Sequence, residues 1–79
     1  MTTLRELPVG ERAKIIKIHG SPAIKQRLLD MGVTRGAEVY MRKEAPLGDP
    51  VEITILGYEL SLRKADAAMI EIDWQPSGN

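Results

Sequence analysis

Cysteine is absent from this 79-residue chain, which excludes disulfides, thiolate metal sites and cysteine nucleophiles, and frees its stability from any need for an oxidising compartment. Phenylalanine is absent as well. The aromatic side chains are Tyr40, Tyr58 and Trp74 alone, too few for the stacking platform of a single-strand nucleic-acid binder. Histidine occurs once, as His19, so a Ser-His-Asp arrangement or a histidine-based zinc site would have to be built around that one residue. No apolar run approaches the ~20 residues that span a bilayer, and the opening "MTTLREL" lacks the basic and apolar blocks of a signal peptide. A cytoplasmic setting is the expectation. Net charge is missing too: 11 basic side chains balance 11 acidic ones, which removes the broad positive field that nonspecific nucleic-acid binding needs.

What the chain does have is enough for one small domain. Residues 1–75 read as that domain and 76–79 as a disordered tail. A chain of this size buries only about 60–65% of its unfolded surface, so its stability should be modest, about 4–12 kcal/mol. Charge is unevenly placed: residues 1–43 hold nine Lys and Arg against four Asp and Glu, and residues 44–79 hold two against seven. In so small a fold the halves interleave, and the split reads mainly as complementary pairing between strands. A polarised partner surface is the lesser reading.

The elements follow from pattern and punctuation. "RAKIIKI" (12–18) is a short β-branched run that suits a strand, preceded by a turn at Pro8 and Gly10. Ser21 is a good helix N-cap, Pro22 fits the first helical position and Gly32 follows the last turn, which places a helix over about 21–31. Its Ile24, Leu28 and Met31 make one apolar stripe, with Leu29 beside it. "AEVYMRKE" (37–44) alternates with Val39 and Met41 on one side. "VEITIL" (51–56) resumes alternation, and Gly57-Tyr58 suggests a type II′ hairpin that pairs Ile55 with Leu60, Thr54 with Ser61, Ile53 with Leu62 and Glu52 with Arg63. A short helical turn over about 64–67 and a last strand around Ile70 and Ile72 complete the chain. Five short strands and one helix suggest an all-β fold with helical insertions, a small closed or nearly closed barrel whose helix plugs one end.

Two stretches invite a chemical reading. In "RLLDMGVTRGAEV" (27–39), Gly32 and Gly36 sit four apart like part of a phosphate loop. A phosphate cradle, however, puts its glycines before a helix, where N–H groups and the positive dipole end face the anion. Here they come after it, so Gly32 reads as a left-handed cap and Gly36 as a turn, as does Gly57 later. His19 reads as a surface or capping residue rather than a ligand or base. Glu71 and Asp73, at i and i+2 on a strand, read as solvated charges on one outward face rather than a general acid/base pair. No catalytic, cofactor or metal site emerges from the residues. In "KEAPLGDPVE", prolines restrict the backbone and hold Leu47 with no periodic place in a core. Folding back over the barrel edge weighs slightly more for Leu47 than presentation to a partner as a rigid apolar contact.

"RLLDMGVTRGAEV", "APLGDPVEI" and "LSLRKADAAMIEI" together make the chain similar to the FeoA family, the small cytosolic proteins of bacterial and archaeal ferrous iron uptake. The lead-in "LRELPVGERAKIIKI" fits that family's opening strand, and the likeness runs over about residues 4–72. Arg35 stands where a proline is common before the second glycine. The resemblance implies an SH3-like barrel and a partner rather than a reaction: FeoB, the membrane-embedded ferrous iron transporter with a cytosolic GTP-binding domain. It implies a non-enzymatic accessory role, without a cofactor, and is compatible with self-association. The helix end and the proline loop are the expected contact surface, through Arg27, Met31, Pro46, Leu47 and Asp49. The alternatives are an SH3-like module related to the C-terminal part of iron-dependent repressors, disfavoured because no helix-turn-helix precedes the barrel in this sequence, and a small RNA- or ribosome-associated barrel, disfavoured by the zero net charge.

Overall fold

The computed structural model describes residues 1–75, so the expected tail at 76–79 lies outside the described residues. A 3-10 turn at Leu4–Glu6 leads into β1 (Arg12–Ile18), α1 (Pro22–Asp30), β2 (Glu38–Glu44), β3 (Val51–Ile55), β4 (Tyr58–Leu62), α2 (Lys64–Ala67) and β5 (Ile70–Asp73). The strands form one antiparallel sheet in the order β4-β3-β2-β1-β5. This is the expected SH3-like strand set with its helical insertions, but the sheet is not closed. Instead of pairing with β4, the outer edge of β5 receives the N-terminal segment: the Ile72 N–H donates to the Thr2 carbonyl at 2.9 Å and Thr3 bridges to Glu71. Leu4, Leu7 and Ala67 of α2 are buried in the same core cluster, which side-chain packing completes where strand pairing stops.

The core is built by alternation. Ala13 and Ile15, Val39 and Met41, Val51, Ile53 and Ile55, and Ile70 and Ile72 all turn inward and are buried, as the period of two in a half-buried sheet demands. Alternation turns Ile16 outward beside Lys14, where it is 39% exposed, and the β1–β5 register shift between Ile15 and Lys17 then leaves Lys17 exposed and turns Ile18 back against the core. The expected opening strand forms as β1, and a further element precedes it. "TLRE" (3–6) forms a 3-10 turn whose Glu6 carboxylate accepts the Thr3 N–H at 2.6 Å and the Thr3 hydroxyl at 3.3 Å. Thr-x-x-Glu is a capping signature, and it aims Leu4 and Leu7 into the core.

The β3–β4 hairpin forms with a different register from the expected one. Its two turn residues are Leu56 and Gly57, both at positive φ (51° and 84°), and Ile55 pairs with Tyr58, Thr54 with Glu59, Ile53 with Leu60, Glu52 with Ser61 and Val51 with Leu62. Gly57 is therefore the second turn residue, and the double positive φ is that of a type I′ turn. The shift of two residues along β4 keeps every side chain on its expected face. It also sets Val51 against Leu62, both buried, where the expected register would have put a lysine opposite that valine. A left-handed Leu costs about 1–2 kcal/mol, and this apolar pairing offsets it.

α1 begins and ends as its residues suggest. The Ser21 hydroxyl accepts the Ile24 N–H at 3.3 Å and Pro22 opens the helix. At the other end the Gly32 N–H donates to the Leu29 carbonyl and the Val33 N–H to the Leu28 carbonyl, each at 2.9 Å, with Gly32 at φ 96°. These two bonds define a Schellman cap. Leu28 alone of the stripe is fully buried; Ile24 and Met31 pack partly buried against the core and Leu29 is exposed. Gly36 also has positive φ, and its N–H donates to the Ile15 carbonyl at 2.7 Å where the chain turns into β2.

Candidate functional site

The proline loop is held at several points. Ala45 through Gly48 close a β-turn, with the Gly48 N–H donating to the Ala45 carbonyl at 2.7 Å and Pro46 in the second position that proline favours. The Ala45 N–H donates across the loop to the Pro50 carbonyl at 2.9 Å, and the Asp49-Pro50 peptide is cis. The Asp49 carboxylate accepts the N–H of Lys64 at 2.9 Å, tying the loop to the first residue of α2. At the tip Leu47 is 96% exposed. It does not fold back over the sheet edge as weighed from the sequence, because the turn places it at the outermost position of a tethered loop.

The helix end contributes the second part. An ion pair joins Arg27 of α1 to Asp66 of α2, and the Tyr58 hydroxyl donates to the Met31 carbonyl at 3.1 Å, satisfying one of the carbonyls that a helix end leaves without an internal partner. Arg27 and Met31 thereby line an open cleft of about 430 Å³ with Ser61, Arg63, Ala65 and Asp66. A second depression of about 490 Å³, lined by Asp49, Pro50, Ser61, Leu62 and Arg63, adjoins it. Ser61 and Arg63 are common to both, so β4 connects the helix end to the base of the proline loop. Arg27, Met31 and Asp49 are thus gathered on one face, whereas Pro46 and Leu47 stand at the loop tip and line neither depression. Sequence reasoning missed Ser61 and Arg63. The hairpin register carried the signal, since it determines which β4 residues follow Tyr58 along the edge.

Elsewhere the charges pair across the two halves of the chain, as the uneven distribution suggested. Arg42 meets Glu52 and Glu59, each at 3.2 Å, and Lys43 meets Glu52 at 3.7 Å. His19 is half-buried with Nε2 at 2.8 Å from a Glu71 oxygen, so Glu71 is a partner of His19 rather than a free face charge, while Asp73 is exposed. Among the described residues no three His, Asp or Glu side chains gather as metal ligands, and no helix is long and apolar enough to cross a membrane.

Comparison with known proteins places this arrangement. The family described as the FeoA domain matches residues 2–73. The Fe(2+) transport protein A/Fe(2+) transporter FeoB fusion protein of Porphyromonas gingivalis is 40% identical over 70 residues, which cover 89% of this chain and 8% of that protein. The chain therefore spans a small fraction of that relative. A FeoA-like protein from Clostridium acetobutylicum superposes with a TM-score of 0.88 at 34% identity, over 100% of this chain and 95% of that one. Stenotrophomonas maltophilia FeoA, described as a prokaryotic SH3 domain protein and solved with zinc, gives 0.79 at 30% identity over 92% and 91% of the two chains. With the family match spanning nearly every described residue and the strand set agreeing, the chain belongs to the FeoA family, a family linked to ferrous iron transport by the name of the P. gingivalis relative.

Proposed function

We propose that this protein is a non-enzymatic accessory subunit of ferrous iron transport that binds the cytosolic part of a FeoB-type transporter. The observation that carries the reading is Leu47, 96% exposed at the tip of a loop fixed by the Gly48–Ala45, Ala45–Pro50 and Lys64–Asp49 hydrogen bonds. An apolar side chain fully in water on a pre-ordered loop loses little conformational entropy on docking and gains from burial. The P. gingivalis relative, which unites both transport proteins in one chain, supports a direct working contact between two such partners.

In this reading Pro46 and Leu47 make the apolar contact, and Asp49 acts by holding the loop against α2. Arg27 and Met31 flank it across the cleft, where their exposed atoms meet the rim of the partner. The proposal places the protein on the cytosolic side of the membrane. Co-purification with the transporter and with its isolated GTP-binding domain tests the reading: retention of the wild-type chain supports it, and failure to be retained by either refutes it.

A further inference from the structure

The two edges of the sheet are treated differently. The outer edge of β5 is covered by Thr2 and Thr3, and its inward residues Ile70 and Ile72 are buried. Among the described residues the outer edge of β4 has no such cover. Because Leu56-Gly57 is a two-residue loop, Ile55–Tyr58 is the hydrogen-bonded closing pair, and alternation makes Ile53–Leu60 and Val51–Leu62 hydrogen-bonded pairs as well. Glu59 and Ser61 therefore turn both their N–H and C=O groups away from β3. No hydrogen bond from another element reaches these groups among the described residues. Leu60, inward on β4, stays partly exposed while Ile53 opposite it is fully buried. Edge strands are normally blunted by proline, charged side chains, a bulge or a covering segment, and "YELSL" runs through β4 with an unbroken register, no proline and a single charge, Glu59, that Arg42 pairs at 3.2 Å.

We propose that the free edge of β4 accepts an added strand from the partner. This rests on the docking reading above and adds to the Leu47 contact a second one along the same face. The space beside the edge is the cleft between β4 and the helices, lined by Arg27, Met31, Ser61, Arg63, Ala65 and Asp66. A groove with a bare strand edge on one side and a helix on the other suits strand addition, in which backbone bonds give affinity and side-chain pockets give choice. The chemistry of the lining specifies the occupant. Arg27 is held by Asp66, but Arg63 is exposed at the end of β4 and makes no ion pair among the described residues. Met31 offers a partly buried apolar wall. The occupant is an extended protein segment with a carboxylate that reaches Arg63 and an apolar side chain that seats against Met31.

Amide exchange read by NMR on the isotopically labelled chain tests this, alone and with the cytosolic region of the transporter. In the free chain Glu59 and Ser61 should exchange fast, and Leu60 and Leu62 slowly. Partner binding should slow Glu59 and Ser61 selectively. Ser61→Pro removes one outward N–H at an edge position that tolerates proline, and should weaken binding about tenfold with the remaining spectrum unchanged; the exchange measurement on the wild-type chain decides the matter if that variant fails to fold. Slow exchange of Glu59 and Ser61 in the free chain overturns strand addition, and so does partner binding that leaves both amides unprotected while Leu47→Arg abolishes the complex. That second pattern leaves the docking reading standing. Protection that grows with the concentration of the chain alone assigns the edge to a second copy and overturns the partner strand. No binding by the wild-type chain overturns both readings.

Discussion

Gly32→Ala is the perturbation whose cost the structure specifies most fully. The residue closes α1 at φ 96°, where an L side chain costs about 1–2 kcal/mol. A second cost is spatial: a Cβ at Gly32 would lie 1.6 Å from the Tyr58 hydroxyl oxygen and 2.9 Å from the ring carbon that bears it. Tyr58 must therefore swing away and give up its hydrogen bond to the Met31 carbonyl, a loss of about 0.5–1.5 kcal/mol. The sum is ~1.5–3.5 kcal/mol, a large share of the ~4–12 kcal/mol available to a chain this size. It corresponds to a fall in Tm of roughly 6–28 °C. Urea denaturation of Gly32→Ala in the wild-type and Tyr58→Ala backgrounds separates the two costs. With the ring removed, the cost should fall to the ~1–2 kcal/mol of the left-handed conformation alone. Equal costs in the two backgrounds, or a wild-type cost below about 0.5 kcal/mol, would refute the reasoning.

Other substitutions probe the supports of the same face. Ser21→Ala removes the cap on the Ile24 N–H and should lower stability by about 1 kcal/mol in chemical denaturation, with partner binding unaffected. Asp49→Ala frees the Lys64 N–H; a loss of ~0.5–1.5 kcal/mol, together with faster amide exchange in the 45–50 loop, is expected in the same NMR experiment. Arg27→Ala breaks the pair with Asp66, but the Arg27 side chain is 57% exposed. Its effect on Tm should be no more than ~1 kcal/mol equivalent and should shrink in high salt.

Much of this fold was legible because local signals agreed. Ser21, Pro22 and Gly32 bracket α1 where the apolar stripe runs, and Val39, Met41, Val51, Ile53 and Ile55 alternate as strands must. The hairpin was legible in kind but not in register. A glycine in a two-residue turn is compatible with either turn position, and the choice was made by long-range pairing of Val51 with Leu62 and by the Tyr58 contact to the helix end. The open sheet was hidden for a similar reason. Covering the β5 edge required Thr2 and Thr3, residues that precede any periodic segment, although "TLRE" carries a capping signature that names the turn. In the candidate site, the composition of the proline loop announced rigidity, yet the outward placement of Leu47 depended on tertiary bonds to Pro50 and Lys64. Ser61 and Arg63 became visible only with the β4 register.

The central claim is that Leu47 presents the partner contact. Isothermal titration of the chain against the cytosolic region of the transporter, with wild type and Leu47→Arg side by side, tests it most directly. Because Leu47 is 96% exposed, the substitution should leave Tm within about 2 °C of wild type. A weakening of binding by at least about tenfold is predicted, the equivalent of one apolar side chain lost from a docked interface. Unchanged affinity with an intact fold would contradict the account.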